Sequence, residues 1–210
     1  MKRLFLFLII SALILPLSAQ DITSVFLSMP DDVFLGLDAE AKDKLIAQAN
    51  DTSEVKIRSV FGGEITRQEM SEDYLSLQTS TAGILQIKLL PLVNNSRIIC
   101  VVKTVCGKAC DSNVRFYTTD WEELSDVNLF PKPDIDWFIK PDVNRESEEF
   151  KNAYAALDMR PMKMEFDSHK AQLSVILDAE SYLSEDDYSK FEPFLTTKPH
   201  ILKWDKISFK

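Results

Sequence analysis

Glycine and histidine are scarce in this chain, and each scarcity removes a class of function. Five glycines in 210 residues leave no glycine-rich phosphate loop and no G-x-S-x-G elbow, so the nucleotide-binding and serine-hydrolase templates are missing. Only two histidines occur, His169 and His200. Neither has H-E-x-x-H or another ligand spacing, so the sequence implies no metal site and no cofactor. His169 reads as an exposed turn residue beside Asp167, and His200 as a strand start after Pro199. Beyond Ala19 no apolar run is long enough to span a bilayer, so no transmembrane segment is expected in the mature chain. Basic side chains are outnumbered, 24 against 33 acidic, for a net charge of −9. That sign is unsuited to nucleic acid or anionic membrane, which attract positive charge.

The acidic clusters have a simple account. Asp31-Asp32, Asp134 with Asp136, and Glu185-Asp186-Asp187 lie at or near expected helix starts, where the helix dipole favours negative charge. A hydrolase working through carboxylates would instead need two of them facing each other across a cleft.

What is present begins with a leader. Residues 1–19 carry Lys2 and Arg3, then an apolar run, then the small pair Ser18-Ala19. This is the pattern of a signal peptide cleaved after Ala19. No cysteine near the cut offers a lipid anchor, so the expected location is periplasmic or secreted. An uncleaved membrane anchor is the alternative.

The stretch from Val55 to Asp120 organises the rest. Its apolar period is close to two, with regular turn signals: Gly62-Gly63, Ser80 to Gly83, and Asn94-Asn95-Ser96. Ile84 to Leu90 and Arg97 to Lys103 are apolar on both parities, as central strands covered on two faces should be. An antiparallel β-meander of about six strands follows, with Pro91 marking a bulge or strand end because it cannot donate to the ladder.

In that meander the cysteines sort by distance. A turn centred on Lys108 sets Cys106 opposite Cys110, within disulfide reach. Cys100, six residues earlier, is roughly 20 Å away along an extended strand, opposite Phe116, and reads as a free buried thiol. A structural bridge, two reduced thiols and a redox-active pair all remain open for Cys106 and Cys110. Three intervening residues in a hairpin fit the first best, since catalytic dithiols usually have two at a helix N-terminus.

Around the meander, Asp21 to Met29 and a segment from Asp38 to Ala49 read as helices able to cover one sheet face. Thr119 to Glu123 reads as a short helical turn. Phe130 to Asp134, with two prolines, is the best boundary. A helical turn over Asp134 to Ile139 is next, then a helix over Asn144 to Leu157. Met162 to Phe166 and Ala171 to Leu177 make a hairpin, a helix starts at Ser184, and His200 to Phe209 alternates as a closing strand. The fold class is therefore α+β: a meander with N-terminal helices, then helix, hairpin, helix and closing strand. Residues 20–210 read as one domain with a continued antiparallel sheet, and two lobes, 20–130 and 134–210, as the alternative.

Several segments together resemble a known family. They are Val25 to Pro30, Asp73 to Gln78, Gln86 to Pro91, and above all Cys100 to Ser112 with Arg115 to Trp121. The chain is similar over most of its length to an exported Bacteroidales family catalogued as domain of unknown function 3256. The resemblance implies a Gram-negative envelope or secreted setting, which supports the disulfide, and it transfers no catalytic residues.

The functional expectation is a non-enzymatic envelope protein that binds another protein through the bridged hairpin or a sheet edge. The alternative from another class is a glycan-binding module with Trp121, Trp137 and Trp204 as contact aromatics.

Overall fold

The protein is described from a computed structural model that covers residues 20–47, 54–125, 128–196 and 198–210. The expected leader lies outside the described residues. Between Val55 and Tyr117 the alternating, β-branched segments pair in sequence order into one antiparallel sheet. Its strands are β1 (Val55–Arg58), β2 (Glu64–Met70), β3 (Tyr74–Gln78), β4 (Gly83–Pro91), β5 (Arg97–Cys106) and β6 (Cys110–Tyr117). The two segments apolar on both parities are the central pair, in register from Gly83 opposite Val105 to Pro91 opposite Arg97. Pro91 closes β4, where no further ladder donor is needed. The register of β2 on β3 slips between Arg67 and Glu69, a bulge with no turn residue to announce it.

One face of this sheet is apolar. Ile65, Leu75, Leu77, Leu85, Ile87, Ile99 and Val101 meet Ile22, Val25 and Phe26 of α1 (Ile22–Leu27) and Leu45 of α2 (Ala39–Ala47). The Asp21 carboxylate accepts from Ser24 N–H at 2.8 Å and starts α1. The helical turn expected over Thr119 to Glu123 does not form. Trp121 takes a φ of 65°, incompatible with a helix, and its indole N–H donates to the Val25 carbonyl at 3.0 Å. Burying that ring with its donor satisfied outweighs the weak local preference for a capped turn.

The other face bears polar side chains: Ser76, Gln86, Lys88 and Thr104 are all buried there. A second sheet, β7 (Met162–Phe166), β8 (Gln172–Leu177) and β9 (His200–Lys203), lies against it. The backbone N–H groups of Met162, Met164 and Phe166 donate to Asp111 Oδ1, Ser112 Oγ and Gln86 Oε1 at 2.9, 2.8 and 3.3 Å. Lys88, fully buried, donates to the Ser168 carbonyl at 2.8 Å and pairs with Asp73 at 3.1 Å. The antiparallel sheet therefore does not continue, contrary to expectation. Side chains of the first sheet satisfy the edge of β7, so β7 needs no strand partner on that side.

Helices α3 (Glu148–Ala155), α4 (Ala179–Tyr182) and α5 (Glu185–Phe191) complete this half. One core joins Cys100, Val102 and Phe116 of the first sheet, Met164, Leu173 and Val175 of the second, and Phe150 and Phe191 of the helices. Two boundaries differ from the periodicity. Helix α3 starts only after Ser147, whose hydroxyl accepts from Phe150 N–H at 3.2 Å, so Asn144 to Ser147 is an entry turn. The closing strand stops at Lys203, and Lys203 and Lys210 then exchange backbone hydrogen bonds of 2.7 and 3.0 Å. Asp205 accepts from Ile207 and Ser208 N–H, and Lys206 takes a φ of 75°, so the chain reverses there. The reversal brings Trp204 and Phe209 together in the core, ring centroids 5.2 Å apart.

Candidate functional site

Three turns stand at one end of the first sheet: Ser59 to Gly63, Thr79 to Ala82, and Gly107 to Ala109. The third is the bridged one. Cys106 and Cys110 face each other in the ladder and are joined, S–S 2.04 Å. The turn between them is occupied by its own chain. Lys108 Nζ donates to the Tyr182 and Leu183 carbonyls at 3.0 and 3.2 Å, where α4 ends. Cys110 N–H donates to Asp178 Oδ2 at 2.6 Å, just before α4 begins. Cys100 lies opposite Phe116, buried and free, and burial raises its thiol pKa well above the ordinary value. These hydrogen bonds make the bridged hairpin a clasp on α4.

The first turn is the opposite case. Leu35, Val60 and Phe61 are 64%, 53% and 76% exposed around it. Leu35 and Phe61 border a groove of about 570 Å³, lined also by Asp32, Val33, Phe34, Thr79 and Lys103. That volume is typical of a ligand site. Gly62 supplies the φ of 88° that the turn requires. The groove wall is the segment from Met29 to Gly36, and it is pinned at several points. Lys42 donates to the Met29 carbonyl, Lys103 to the Val33 carbonyl, and Ser59 Oγ and Val60 N–H to the Gly36 carbonyl at 3.1 and 3.3 Å. A wall held at both ends is formed before anything binds.

Lys103 supplies the charge. Its ammonium pKa is lowered by burial first and then by the nearby Arg115 charge, with Asp32 partly opposing. Among the described residues it forms no ion pair, and the Val33 carbonyl is its only side-chain acceptor. Beside the groove runs β1, the outer strand of the sheet, bearing exposed Lys56 and Arg58. Lys56 is engaged by Glu54 and Glu64 at 3.3 and 3.4 Å. A short edge guarded by basic side chains resists pairing with other copies.

The residues expected to carry function are dispersed. Trp121 and Trp204 are both 8% exposed, and the Trp204 indole donates to the Pro91 carbonyl at 2.7 Å. Neither offers a ring face to a ligand. Trp137 is half-buried, and His200 stacks on it with ring centroids 4.3 Å apart. Burial lowers the His200 pKa. His169 is exposed, its N–H held by Asp167. Asp31 lies 3.9 Å from Lys42, Asp134 accepts from Asp136 N–H, Asp136 pairs with Arg145 at 2.8 Å, and Glu185 sits in the first turn of α5. Each has a local role, and beyond the Asp134–Asp136 cap no contact among the described residues brings one to another. Among the described residues no group of three or more potential ligands could hold a metal ion, and no helix is long and apolar enough to cross a membrane.

A smaller cavity of about 250 Å³ opens beside α4, lined by Phe138, Glu180, Tyr188, Glu192 and Leu195 among others. Burial and then the Glu180 and Glu192 charges raise the Tyr188 pKa. Sequence reasoning missed Leu35, Phe61 and Lys103. One signal was legible: Phe61 precedes Gly62-Gly63, so a large apolar side chain sits beside a tight turn.

A family model described as "Protein of unknown function (DUF3256)" matches residues 14–209. A solved structure, described as a domain of an uncharacterized protein from Porphyromonas gingivalis W83, is similar with a TM-score of 0.80 and 29% identity. The match covers 89% of this chain and 96% of that one. Among curated proteins none matches this chain.

Proposed function

The chain belongs to the DUF3256 family of proteins of unknown function, and from that premise we propose that it is an exported, non-enzymatic envelope protein that docks a partner protein at the Phe61 end of its sheet. The observation that carries this reading is the exposure of Leu35 and Phe61 on one pre-formed groove, with exposed Val60 next to Phe61 in the same turn. Clustered exposed apolar side chains cost solubility and mark interaction sites more often than chance exposure does. The groove is open rather than enclosed, which suits side chains presented by a protein surface. Export rests on the charged, apolar and small-residue order of residues 1–19. It places the protein in a periplasmic or secreted setting, where the Cys106–Cys110 bridge would persist. Among the described residues no pair of the expected carboxylates is seen facing across a cleft to support a hydrolase, and a glycan platform would have Trp137 alone.

Two measurements test the reading. N-terminal sequencing of the protein from the host envelope should begin at Gln20, and an intact Met1 would remove cleaved export. A photoreactive residue at Phe61 should crosslink one protein in cells, whereas the same residue at Ile207 should not. Equal labelling from both positions, or none from either, would remove the docking site.

A further inference from the structure

We infer that the groove selects a partner segment with a carboxylate next to a bulky apolar side chain, and that Lys103 is the residue that reads the carboxylate. This deepens the docking reading and rests on it. Lys103 has no ion-pair partner among the described residues. Lys103 is on β5, on the sheet face covered by α1 and α2, beyond the point where those helices' apolar cover ends. Its ammonium lies at the groove with one carbonyl as its only acceptor among the described residues, which leaves two of its three donors without a described protein acceptor. The neighbouring Arg115 is a second positive charge, and it pairs with Glu123 at 3.5 Å. Asp32 also lines the groove and its charge acts on Lys103, but the two form no ion pair. A partially desolvated ammonium beside apolar surface is costly unless an acceptor arrives with the ligand, and a carboxylate is the acceptor that gains most there.

The apolar half of the preference comes from the walls. Phe34, Leu35 and Phe61 present carbon surface within the same groove as Lys103, so one ligand side chain can enter between them while its neighbour reaches the ammonium. A free fatty acid has the same two features. Its chain, however, would lie half in water along an open groove, whereas a polypeptide brings its own backbone and flanking residues to cover the exposed Phe61 and Leu35. The occupant is therefore a peptide segment.

The test uses the folded chain and an array of membrane-bound, acetylated heptapeptides. Each has a central Phe or Leu followed by Glu, Gln or Lys in otherwise matched sequences. The wild-type protein should retain Glu peptides about tenfold more than Gln peptides, the effect of one charge-assisted hydrogen bond. Lys103→Glu should reverse the order in favour of Lys peptides. Lys103→Met keeps the stem, drops the charge and should level Glu with Gln, so a folding defect in the reversed variant would not shelter the inference. Phe61→Ser should lose all three peptide sets. Equal retention of Glu and Gln by wild type, or an unchanged order in Lys103→Met, overturns the carboxylate preference. If that equal retention still disappears in Phe61→Ser, the docking site survives and only its specificity falls. If Phe61→Ser retains peptides as wild type does, both fall.

Discussion

The two outer parts of the first sheet end alike in sequence and differ in fate. Each closes with a short turn containing glycine, Val60 to Gly63 at one side and Gly107 at the other. The turn on the β6 side is bridged, clasped to α4 at two points and flanked by the second sheet. The turn on the β1 side has no sheet over it and projects Phe61 into solvent. What separates them is how much of the chain remains to be placed. The chain from Leu129 onward folds back on the polar face beside β4, β5 and β6, while α1 and α2 cover the opposite face up to the Met29–Gly36 segment. The covered side is tied down by the chain's own contacts, and the uncovered side is the one proposed above for docking.

This contrast can be broken from its strong side first. Lys88→Ala should be the most damaging change, by about 3 kcal/mol in urea unfolding, because it opens a cavity at a fully buried site and removes the donor to the Ser168 carbonyl at the junction of the two sheets. Lys88→Met, which restores volume, should recover part of that loss. If Lys88→Ala unfolds within 0.5 kcal/mol of wild type, the junction is not what holds the covered half, on the usual scale of neutral substitutions. Next is the bridge. Cys106→Ser with Cys110→Ser should cost about 2 kcal/mol, the chain-entropy value for so small a loop. It should also speed exchange of the backbone amide at position 110, which in the wild type is held by Asp178. Stability lost without faster exchange there would mean that the clasp does not depend on the bridge.

Asp178→Ala should follow at about 1 kcal/mol, the loss of one hydrogen bond at a half-buried site. Phe61→Ser should change stability by less than about 0.5 kcal/mol, since its ring is mostly in water. It should nevertheless lower binding of a hydrophobic dye to the native protein, and unchanged dye binding would show that the exposed patch lies elsewhere. A titration separates the halves in another way. Burial pushes the Tyr74 phenol up to about 12 from its ordinary 10.0. The folded state then holds a proton that the unfolded state has released, so stability is fully present below pH 10 and falls as pH rises from 10 towards 12. Tyr74→Phe should flatten that alkaline decline, and an unaltered profile would locate it in another group.

The legible part of the fold was the part governed by near neighbours. Period-two alternation, two runs apolar on both parities, and turn residues at short intervals specify a meander and its order, because each strand pairs with the next and the register follows from the turns. The opposition of Cys106 to Cys110 and of Cys100 to Phe116 came from the same counting. Alternation failed at residues 200–209, where Asp205 and Lys206 reverse the chain and two apolar residues expected on one strand pack across a turn. Capping logic failed at Trp121, where burying an indole with its N–H satisfied overrode a local helix signal.

The sequence by itself determined the strand order, the N-terminal helices, the opposition of Cys106 to Cys110 and the lack of recognisable catalytic or metal-binding motifs. All of these depend on residues close in the chain or on residue types that are simply present or missing. Only the tertiary structure decided that β7 would end against side chains of Asp111, Ser112 and Gln86 rather than extend the sheet, that the bridged turn would be a clasp, and that Phe61, Leu35 and Lys103 would share a groove. Those outcomes join residues from 26 to 80 positions apart, and no local preference records which distant donor will meet which acceptor once the core has closed.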